Sequence, residues 1–259
     1  MDLQLSEKLA VVSGSTAGIG YAIAEALARE GARVVVTGRT QAAVSEAVSR
    51  IGRNAVGFAG DLGTAAAADA LAERFPDVDI LVNNLGIFEP RPFEEIPDAA
   101  WMRFFEVNVL SGVRLARAFL PGMKARDWGR IIFISSESAI QIPPEMIHYG
   151  MTKTAQLAVA RGLAESLAGT GITVNCVLPG PTRSRGVNDF VSQMAQAGNK
   201  SAQDIENEFF RDVRPTSLLK RFITPEEVAA LVTYVASPLA SATTGAALRV
   251  DGGVVKSAF

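Results

Sequence analysis

The sequence predicts an α/β protein with one mostly parallel sheet and helices on both of its faces. Short apolar runs alternate with longer segments of helical periodicity along the whole 259-residue chain. These runs are too hydrophobic to leave one face in water, which is typical of strands buried on both sides of a parallel sheet. No linker, repeat or low-complexity tract interrupts the alternation. We therefore expect a single domain over residues 1–259 with about seven strands.

The individual elements follow from these runs and from the residues that punctuate them. The predicted strands are the apolar runs Leu9–Val12, Arg33–Thr37, Asn54–Ala59, Ile80–Asn83, Arg130–Ser135, Ile172–Leu178 and Ala247–Val250. The predicted helices lie between them, at 18–30, 41–51, 64–74, 98–124, 149–168 and 225–236. Gly31 and Gly52 follow two of these helices, where a left-handed residue commonly ends a helix. Thr224 is the predicted N-cap of the last helix, Pro225 occupies its first position, and Glu227 lies three residues after the cap. This pattern predicts where the last helix begins.

Composition excludes several classes of protein. Hydrophobic residues make up 48% and charged residues 20% of the chain, which is enough to form a sizeable core. The net charge is -2, so nothing points to nucleic acid or an anionic membrane surface. The single cysteine, Cys176, lies in an apolar run and is expected to be a core residue in a reducing compartment. No stretch is typical of a signal peptide or a membrane span, so we expect a soluble, cytoplasmic protein.

A glycine-rich turn directly follows the first predicted strand. Residues Ser13 to Gly20 read Ser-Gly-Ser-Thr-Ala-Gly-Ile-Gly and lead into a helix. Glycines let the backbone approach a pyrophosphate, and a helix N-terminus offers it amides and a positive dipole. The spacing G-x-x-x-G-x-G differs from the fingerprint G-x-G-x-x-G, and a plain strand–helix turn is the alternative. The position of the turn at the first strand–helix junction favours dinucleotide binding.

The end of the second predicted strand bears on the choice between NAD and NADP. NAD sites place an acidic residue about 20 residues beyond the glycines, where it binds the ribose hydroxyls. No carboxylate occurs between Arg33 and Glu46, whereas Gly38 leaves room and Arg39 offers a planar cation for a 2′-phosphate. This pattern favours NADP. An arginine can also stack on adenine, so NAD is the alternative.

A serine, a tyrosine and a lysine follow the apolar run Ile131–Ile134. Tyr149 and Lys153 are four residues apart in a helical pattern and so share one face. Bringing a phenol to ionise near neutrality needs roughly 4 kcal/mol of preference for the phenolate. A positive charge roughly 5 Å away supplies about 3 kcal/mol at an effective dielectric constant near 20. With a hydroxyl such as that of Ser136, this pair could transfer a proton to a carbonyl, although Y-x-x-x-K also occurs by chance on surface helices.

Together these motifs resemble those of the classical short-chain dehydrogenases/reductases, from about Leu5 to Gly253. The separation of 13 residues between Ser136 and Tyr149 matches as well, and selects Ser136 over Ser135 and Ser138. The matching segments are Gly14-x-x-x-Gly18-Ile19-Gly20, Asp61-Leu62, Asn83-Asn84-Leu85-Gly86, Asn108, Ser136, Tyr149-x-x-x-Lys153, Pro179-Gly180-Pro181-Thr182 and Val250-Asp251-Gly252-Gly253. The resemblance implies a Rossmann-type doubly wound sheet, an NAD(P)-dependent oxidoreductase without a metal, and assembly as a tetramer or dimer.

The resemblance also implies roles for individual residues. Tyr149 would exchange a proton with the substrate oxygen, and Ser136 would hydrogen-bond the same oxygen. Lys153 would bind the nicotinamide ribose and lower the pKa of Tyr149. Asn108 would link Lys153 to a proton relay, although an asparagine in a helix can simply satisfy backbone groups. The implied cofactor contacts are Gly14, Ser15, Thr16, Gly18, Ile19, Gly20, Arg39, Asp61, Leu62, Asn84, Gly86, Tyr149, Lys153, Pro179, Gly180 and Thr182.

Four positions near these motifs depart from the family pattern or invite another interpretation. Ser13 replaces the usual threonine and keeps the hydroxyl, and Leu85 replaces the usual alanine and adds bulk beside the cofactor. Glu137 places a charge next to Ser136; we expect it to face solvent, with contact to a polar substrate as the alternative. His148, the sole histidine, points away from its neighbour Tyr149 on a helix, so we expect a structural or exposed role.

Two segments depart from plain alternation of strands and helices. The 149–168 helix has apolar or small residues on more than one face, which suggests a partner subunit; burial between neighbouring elements is the alternative. The polar segment 182–218 follows a strand's carboxyl end and is expected to cover the substrate, a surface excursion being the alternative. Its helical stretch near 187–211 would supply apolar substrate contacts from Phe190, Met194, Phe209 and Phe210.

The function expected from the sequence is an NADP-preferring oxidoreductase that interconverts a ketone and a secondary alcohol. The resemblance extends to the 3-oxoacyl-carrier-protein reductases, and the pocket would be lined by Phe88, Ile140, Ile142 and Met146. An NAD-linked alcohol, sugar or steroid dehydrogenase is the alternative. A non-catalytic cofactor-binding sensor is less consistent with the sequence, because a sensor has no need of a tuned phenol.

Overall fold

The chain folds around a seven-stranded parallel sheet with the strand order β3-β2-β1-β4-β5-β6-β7. The computed structural model describes residues 2–183, 187, 198 and 200–258. The strands are β1 (Leu9–Val12), β2 (Arg33–Gly38), β3 (Ala55–Ala59), β4 (Ile80–Asn83), β5 (Gly129–Ile134), β6 (Ile172–Pro179) and β7 (Ala247–Val250). The predicted doubly wound parallel sheet is therefore confirmed.

Helices cover both faces of the sheet. They are α1 (Gly18–Arg29), α2 (Gln41–Ile51), α3 (Ala65–Arg74), α4 (Asp98–Phe105), α5 (Ser111–Ala125), α6 (Ile147–Ser166), α7 (Ala202–Glu208) and α8 (Pro225–Ala236). The predicted capping box is present at α8, where Thr224 and Glu227 satisfy each other's backbone amides. Within the described part of the chain, no helix combines the length and hydrophobicity needed to cross a bilayer.

Two hydrophobic cores lie on opposite faces of the sheet. Strand side chains alternate between them: Val34 and Val36 of β2 face the core formed with α1 and α8, whereas Val35 faces the core formed with α3, α5 and α6. Cys176 is buried in the second core, as expected. Burying a valine or leucine contributes roughly 1.5–3 kcal/mol, so strands that are apolar on both faces are stable only in this layered arrangement.

Two predicted helices differ from the structure near the site. The helix predicted at 98–124 is divided, because the wide π-helical turn Glu106–Leu110 separates α4 from α5. Helix α6 begins at Ile147 rather than Tyr149, after a short 3₁₀ turn at Pro144–Met146. The two prolines exclude a regular helix there, but they do not prevent the turn from leading directly into α6.

The carboxyl ends of the parallel strands all meet at one edge of the sheet. The glycine-rich turn follows β1, Arg39 follows β2, Asn84 follows β4 and Ser136 follows β5. The chain continues from β1 to β2 on one side, while β4 pairs with β1 on the other. Ligands of open α/β sheets bind in the crevice at such a change of direction, so this edge is where a site is expected.

Candidate active site

The glycine-rich turn has the geometry of an anion-binding helix start. Gly14 has φ +63°, which favours glycine, and a Cβ atom on Gly20 would lie 2.4 Å from the carbonyl oxygen of Gly14. The N-cap residue of α1, Ala17, offers no side-chain acceptor to the helix, and its first turn holds no acidic residue. The first amides of α1 can therefore receive a phosphate, together with the helix dipole.

The turn is held in place by the ends of neighbouring strands. Asn84 donates from Nδ2 to the carbonyl oxygens of Ser13 (2.9 Å) and Gly14 (3.1 Å). The hydroxyl of Ser13 accepts hydrogen bonds from the amides of Asn84 and Leu85. The hydroxyl that serine shares with the usual threonine therefore joins the turn to the chain after β4. The hydroxyl of Ser15 donates to the carbonyl oxygen of Val12 and accepts from the amide of Thr37. Asn84 and Ser15 therefore shape the turn through their side chains.

The end of β2 provides space and one cation beside this turn. A Cβ atom on Gly38 would lie 2.5 Å from Cγ2 of Thr16, so a larger residue would collide with the turn. Arg39 follows directly and is exposed to solvent. The residue that the sequence predicts to contact the adenosine end of the cofactor is therefore accessible directly after β2.

The other predicted cofactor residues line the same edge with different degrees of exposure. Asp61 is exposed and accepts a bond from the amide of Gly63, whereas Leu62 is buried in the core. A Cβ atom on Gly86 would lie 3.5 Å from both Oδ1 of Asn108 and Nζ of Lys153. Beyond β6, which ends at Pro179, the hydroxyl of Thr182 donates to the carbonyl oxygen of Gly180. These residues follow the carboxyl ends of β3, β4 and β6, at the edge of the sheet where the sequence predicts the dinucleotide.

Tyr149 and Lys153 lie on the first turns of α6, facing Ser136 at the end of β5. Nζ of Lys153 is 5.6 Å from the centre of the Tyr149 ring and donates to the carbonyl oxygen of Ile134 at 2.9 Å. Burial lowers the pKa of Lys153 to about 8, an effect that the nearby thiol of Cys176 opposes. The prediction that Ser136, Tyr149 and Lys153 form one cluster agrees with this geometry.

Burial has the largest effect on the acidity of Tyr149. Burial raises its pKa above the ordinary phenol value, and hydrogen bonding with Ser136 lowers it by less. Glu137 raises the pKa further, and Arg214 opposes that effect. Among the protein's own groups, desolvation of the phenolate outweighs the favourable contacts. The lowering of this pKa by Lys153 together with a cationic nicotinamide stays a prediction.

Asn108 lies in the π-helical turn and connects three elements. Its Oδ1 accepts from the amide of Ile87 (2.7 Å), and its Nδ2 donates to the carbonyl oxygen of Ile87 and to the hydroxyl of Thr152 (both 3.0 Å). Its own carbonyl oxygen accepts from Nε2 of Gln156 at 2.6 Å. Gln156 in turn lies 3.4 Å from Nζ of Lys153 through Oε1.

Gln156 was missed by the sequence reasoning. It follows Lys153 by three residues in α6 and is buried beside the same cluster. The helical period, which puts residues i and i+3 on one face, could have identified it. Through Gln156 and Asn108, the amine of Lys153 is connected to the chain that follows β4.

Glu137 does not face solvent. Its side chain is only 5% exposed and accepts hydrogen bonds from the hydroxyls of Ser136 (2.6 Å) and Ser138 (2.8 Å). Arg214 binds the other carboxylate oxygen through Nε at 3.0 Å. The expectation is wrong because the short 3₁₀ turn Glu137–Ala139 folds the side chain inward, where hydroxyl groups and a guanidinium satisfy its charge.

His148 has a structural position. It is fully buried, packs against Phe104 with ring centres 4.0 Å apart, and contacts Trp101 edge-on. Burial lowers its pKa. Within the described residues neither ring nitrogen has a hydrogen-bond partner. His148 thus joins α6 to α4, in agreement with the structural role expected from the sequence.

The apolar side chains predicted to line the substrate pocket lie near the cluster. Phe88 packs edge-on against Tyr149 with ring centres 6.3 Å apart and is exposed, as are Ile140 and Ile142. Phe190 and Met194 lie outside the described residues. Phe210, in contrast to the prediction, is buried against Phe209 and Phe222, so it forms a small core of its own segment.

The fold and this cluster define a nucleotide-dependent oxidoreductase, and comparison with known proteins agrees. Residues 14–255 match a family model described as enoyl-(acyl carrier protein) reductase. The chain is 49% identical to the uncharacterized oxidoreductase YvaG of Bacillus subtilis, over the full length of both, and 33% identical to a D-beta-hydroxybutyrate dehydrogenase of Cupriavidus necator, covering 97% of this chain and 99% of the relative.

A solved structure extends the likeness to three dimensions. L-sorbose reductase from Gluconobacter frateurii, crystallised with NADPH and L-sorbose, superimposes with a TM-score of 0.93 at 32% identity. The match covers 99% of this chain and 100% of that one. The chain belongs to the short-chain dehydrogenase/reductase family, and is therefore an oxidoreductase.

Proposed function

We propose that this protein is an NADP-preferring oxidoreductase that interconverts a ketone and a secondary alcohol by hydride transfer, acting as one catalytic domain over residues 1–259. The observation that carries the proposal is the meeting of Ser136, Tyr149 and Lys153 at the sheet edge that holds the glycine-rich turn. A proton-transfer group beside a dinucleotide cradle suits the oxidation of an alcohol and the reverse reaction.

Each residue has a chemical task in this proposal. Tyr149 gives its proton to the carbonyl oxygen during reduction and takes it back during oxidation. Ser136 hydrogen-bonds that oxygen and fixes its distance to Tyr149. Lys153 binds the ribose side of the nucleotide, and Asn108 holds the loop at Ile87 against α6. The bound nicotinamide supplies the hydride and, when oxidised, a positive charge that favours the phenolate of Tyr149.

Arg39 supports the preference for NADP. It is exposed next to Gly38, and the strand end carries no carboxylate to repel a 2′-phosphate. The structurally similar L-sorbose reductase was crystallised with NADPH. A planar guanidinium can form two parallel bonds to the 2′-phosphate of NADP, a group that NAD lacks.

The substrate class is proposed from the walls of the site. Phe88 packs against Tyr149 and is exposed, and Ile140 and Ile142 are exposed on the segment that follows Ser136, which suits a moderately apolar ketone such as a 3-oxoacyl thioester. The description of the matching family model names a reductase of acyl-carrier-protein substrates, which supports the acyl thioester, although the group that it names is an enoyl double bond and not a ketone. A polar ketone is the second candidate, because the buried hydroxyl of Ser138 and the carboxylate of Glu137 lie next to Ser136. The structurally similar L-sorbose reductase was crystallised with such a substrate.

A steady-state experiment tests the proposed activity. Wild type should reduce members of a ketone panel (3-oxoacyl thioesters, ketoses, steroid ketones) with NADPH at a higher kcat/KM than with NADH. Arg39→Ala should weaken the binding of NADPH by about tenfold or more, because a charge-assisted contact is lost. The same substitution should leave the binding of NADH nearly unchanged. Tyr149→Phe should abolish turnover while NADPH affinity, measured by fluorescence quenching, stays close to wild type.

The opposite results identify the alternatives. If Arg39→Ala weakens the binding of both nucleotides equally, an NAD-linked alcohol, sugar or steroid dehydrogenase is favoured. Tight nucleotide binding without turnover across the whole panel would favour a cofactor-binding sensor. Loss of both turnover and binding in Tyr149→Phe would mean that the phenol has a structural role.

A further inference from the structure

Glu206 is a buried carboxylate that the proposed reaction does not use. It lies in α7, and its side chain is only 6% exposed. Its Oε2 atom forms an ion pair with the guanidinium of Arg183, and its Oε1 atom accepts a hydrogen bond from the amide of Phe222 at 2.8 Å. Burying a carboxylate is unfavourable unless it is paired, so these two contacts offset the cost of its burial.

The two partners of Glu206 belong to chain segments that pair with each other. The amide of Arg183 donates to the carbonyl oxygen of Ile223 at 2.8 Å, and the amide of Ile223 donates to the carbonyl oxygen of Pro181 at 3.0 Å. These bonds form a short parallel bridge between Thr182 and Ile223, beyond the end of β6. The carboxylate of Glu206 therefore binds the neighbour of Thr182 on one side of the bridge and the neighbour of Ile223 on the other.

The bridge adjoins the half of the site where the nicotinamide would lie. The strand order places β2, which Arg39 follows, on one side of the glycine-rich turn, and β5, which Ser136 follows, on the other. Strand β6 pairs with β5 on the side away from β2. In the proposed function the reacting end of the nucleotide lies next to Ser136. Thr182, after β6, therefore belongs to the nicotinamide half of the site, and Arg39 to the adenosine half.

We propose that Glu206 is a positioning residue for the nucleotide: by binding Arg183 and the amide of Phe222, it fixes the chain at Thr182 where that chain contacts the nicotinamide half. This inference rests on the proposed function for the nucleotide, whereas the contacts of Glu206 belong to the protein alone. The carboxylate acts through the backbone that it holds, and it takes no part in proton or hydride transfer. Its loss should therefore weaken the binding of the nicotinamide half and leave the binding of the adenosine half unaffected.

The test compares a complete nucleotide with a fragment that lacks the nicotinamide. The full chain is titrated with NADPH, followed by fluorescence quenching, and with 2′,5′-ADP, followed by calorimetry. Glu206→Gln keeps an oxygen for the amide of Phe222 but loses the ion pair with Arg183, so it should raise the dissociation constant of NADPH about tenfold. The dissociation constant of 2′,5′-ADP should stay close to the wild-type value. If wild type binds NADH better, NADH and ADP-ribose replace these two ligands.

Substitutions of Arg183 test the ion pair from its other side. Arg183→Met should weaken the binding of NADPH as Glu206→Gln does, because it leaves the carboxylate buried without its cation. Arg183→Lys keeps the charge and should restore most of the affinity. Combining Arg183→Met with Glu206→Gln should weaken NADPH binding no further than either change alone, because both changes remove the same pair. An additional loss in the double variant would show that Arg183 contacts the nucleotide independently of Glu206, which would contradict the proposal.

Glu208→Gln is the matched control. Glu208 lies two residues further along α7, where its more exposed carboxylate pairs with Lys200 at 2.6 Å. This substitution should leave the affinity for both ligands unchanged. Melting temperatures identify a variant that fails to fold; if Glu206→Gln fails, Arg183→Met and Arg183→Lys still decide the question. Unchanged NADPH binding in Glu206→Gln, or equal weakening of NADPH and 2′,5′-ADP, would overturn the proposal.

A measurement without nucleotide or turnover distinguishes this proposal from the proposed function. Hydrogen exchange of the free protein, followed by NMR, reports on the amides of Arg183 and Ile223, which are bonded within the bridge. Both amides should exchange faster in Glu206→Gln than in wild type, and at the wild-type rate in Glu208→Gln. An inactive wild type with these changes in exchange and nucleotide binding would contradict the enzyme proposal alone. An active wild type in which Glu206→Gln changes neither would contradict the positioning role alone.

Discussion

At the scale of single residues, Lys153 is a buried cation supported by neutral oxygen atoms. Its side chain donates to the carbonyl oxygen of Ile134 and lies near Oε1 of Gln156. Burial lowers its pKa to about 8. Desolvation disfavours the ammonium more than these oxygens favour it, so the folded protein releases this proton more readily than the unfolded chain does.

The buried amine leads to a prediction about stability and pH. Between about pH 8 and the ordinary lysine value the unfolded chain binds more protons at this site than the folded protein, so the contribution of Lys153 to stability rises with pH. Lys153→Met removes this contribution. The difference in unfolding free energy between wild type and Lys153→Met should therefore increase in favour of wild type by up to about 1.4 kcal/mol per pH unit above pH 8. Urea unfolding at several pH values measures this difference.

Cys176 provides the control for this prediction. Burial raises its pKa to about 12, so its contribution to stability falls as pH rises above the ordinary thiol value. The comparison is therefore repeated in a Cys176→Ala background, where the change with pH should remain. A difference between wild type and Lys153→Met that is constant from pH 7 to 9 would show that the amine stays charged in the fold.

The residues of the site were predictable to different degrees. Tyr149 and Lys153 share a helix face, which a local pattern identifies, and the spacing of the family motif selects Ser136, which follows β5. Arg214 reaches Glu137 across 77 residues of sequence, and no local pattern indicates that contact. The inward turn of Glu137 depends on this contact, and it was therefore mispredicted.

At the scale of elements, the π-helical turn Glu106–Leu110 between α4 and α5 connects two other parts of the site. One wide turn places Asn108 where its side chain bonds both backbone groups of Ile87 and the hydroxyl of Thr152 on α6. Wide turns of this type often occur at functional sites. Here the turn joins the loop after β4 to the helix that carries Tyr149.

Removing the side chain of Asn108 should therefore disturb more than its own helix. Asn108→Ala leaves both backbone groups of Ile87 without their partner, and we expect a loss of about 2–4 kcal/mol in unfolding free energy together with a large drop in kcat. Ser111→Ala removes a local bond to Val107 in the same region and should cost less than about 1 kcal/mol. Equal losses in the two variants would show that Asn108 has only a local role.

Element boundaries were predictable where side chains signal them. Thr224 and Glu227 mark the start of α8 by chemistry that the sequence contains, and the structure follows it. The break at Glu106–Leu110 has no such signal: the segment is an ordinary helical sequence, and the wide turn occurs together with the bonds of Asn108 to other elements. Tertiary contacts of this kind lie outside what a helical period can indicate.

At the scale of the whole molecule, helix α6 presents a second face that the sheet does not use. Leu157, Val159 and Leu163 pack on the core, whereas Ala158 and Gly162 are exposed. Thr154, Ala158 and Gly162 follow one another at intervals of four residues, so they form a line without long side chains along the helix. We propose that this line is an interface between copies of the chain, because two such faces related by a twofold axis can approach closely.

Introducing a charge on this line should separate the copies. Ala158→Glu places two carboxylates near the twofold axis, and we expect light scattering to show a smaller particle than wild type, with the far-ultraviolet circular dichroism retained. Ala168→Glu makes the same change at an exposed position beyond the end of α6, off the line, and should keep the wild-type size. Because Tyr149 and Lys153 lie on the same helix, dissociation should also lower kcat; unchanged size in Ala158→Glu would show that α6 simply borders solvent.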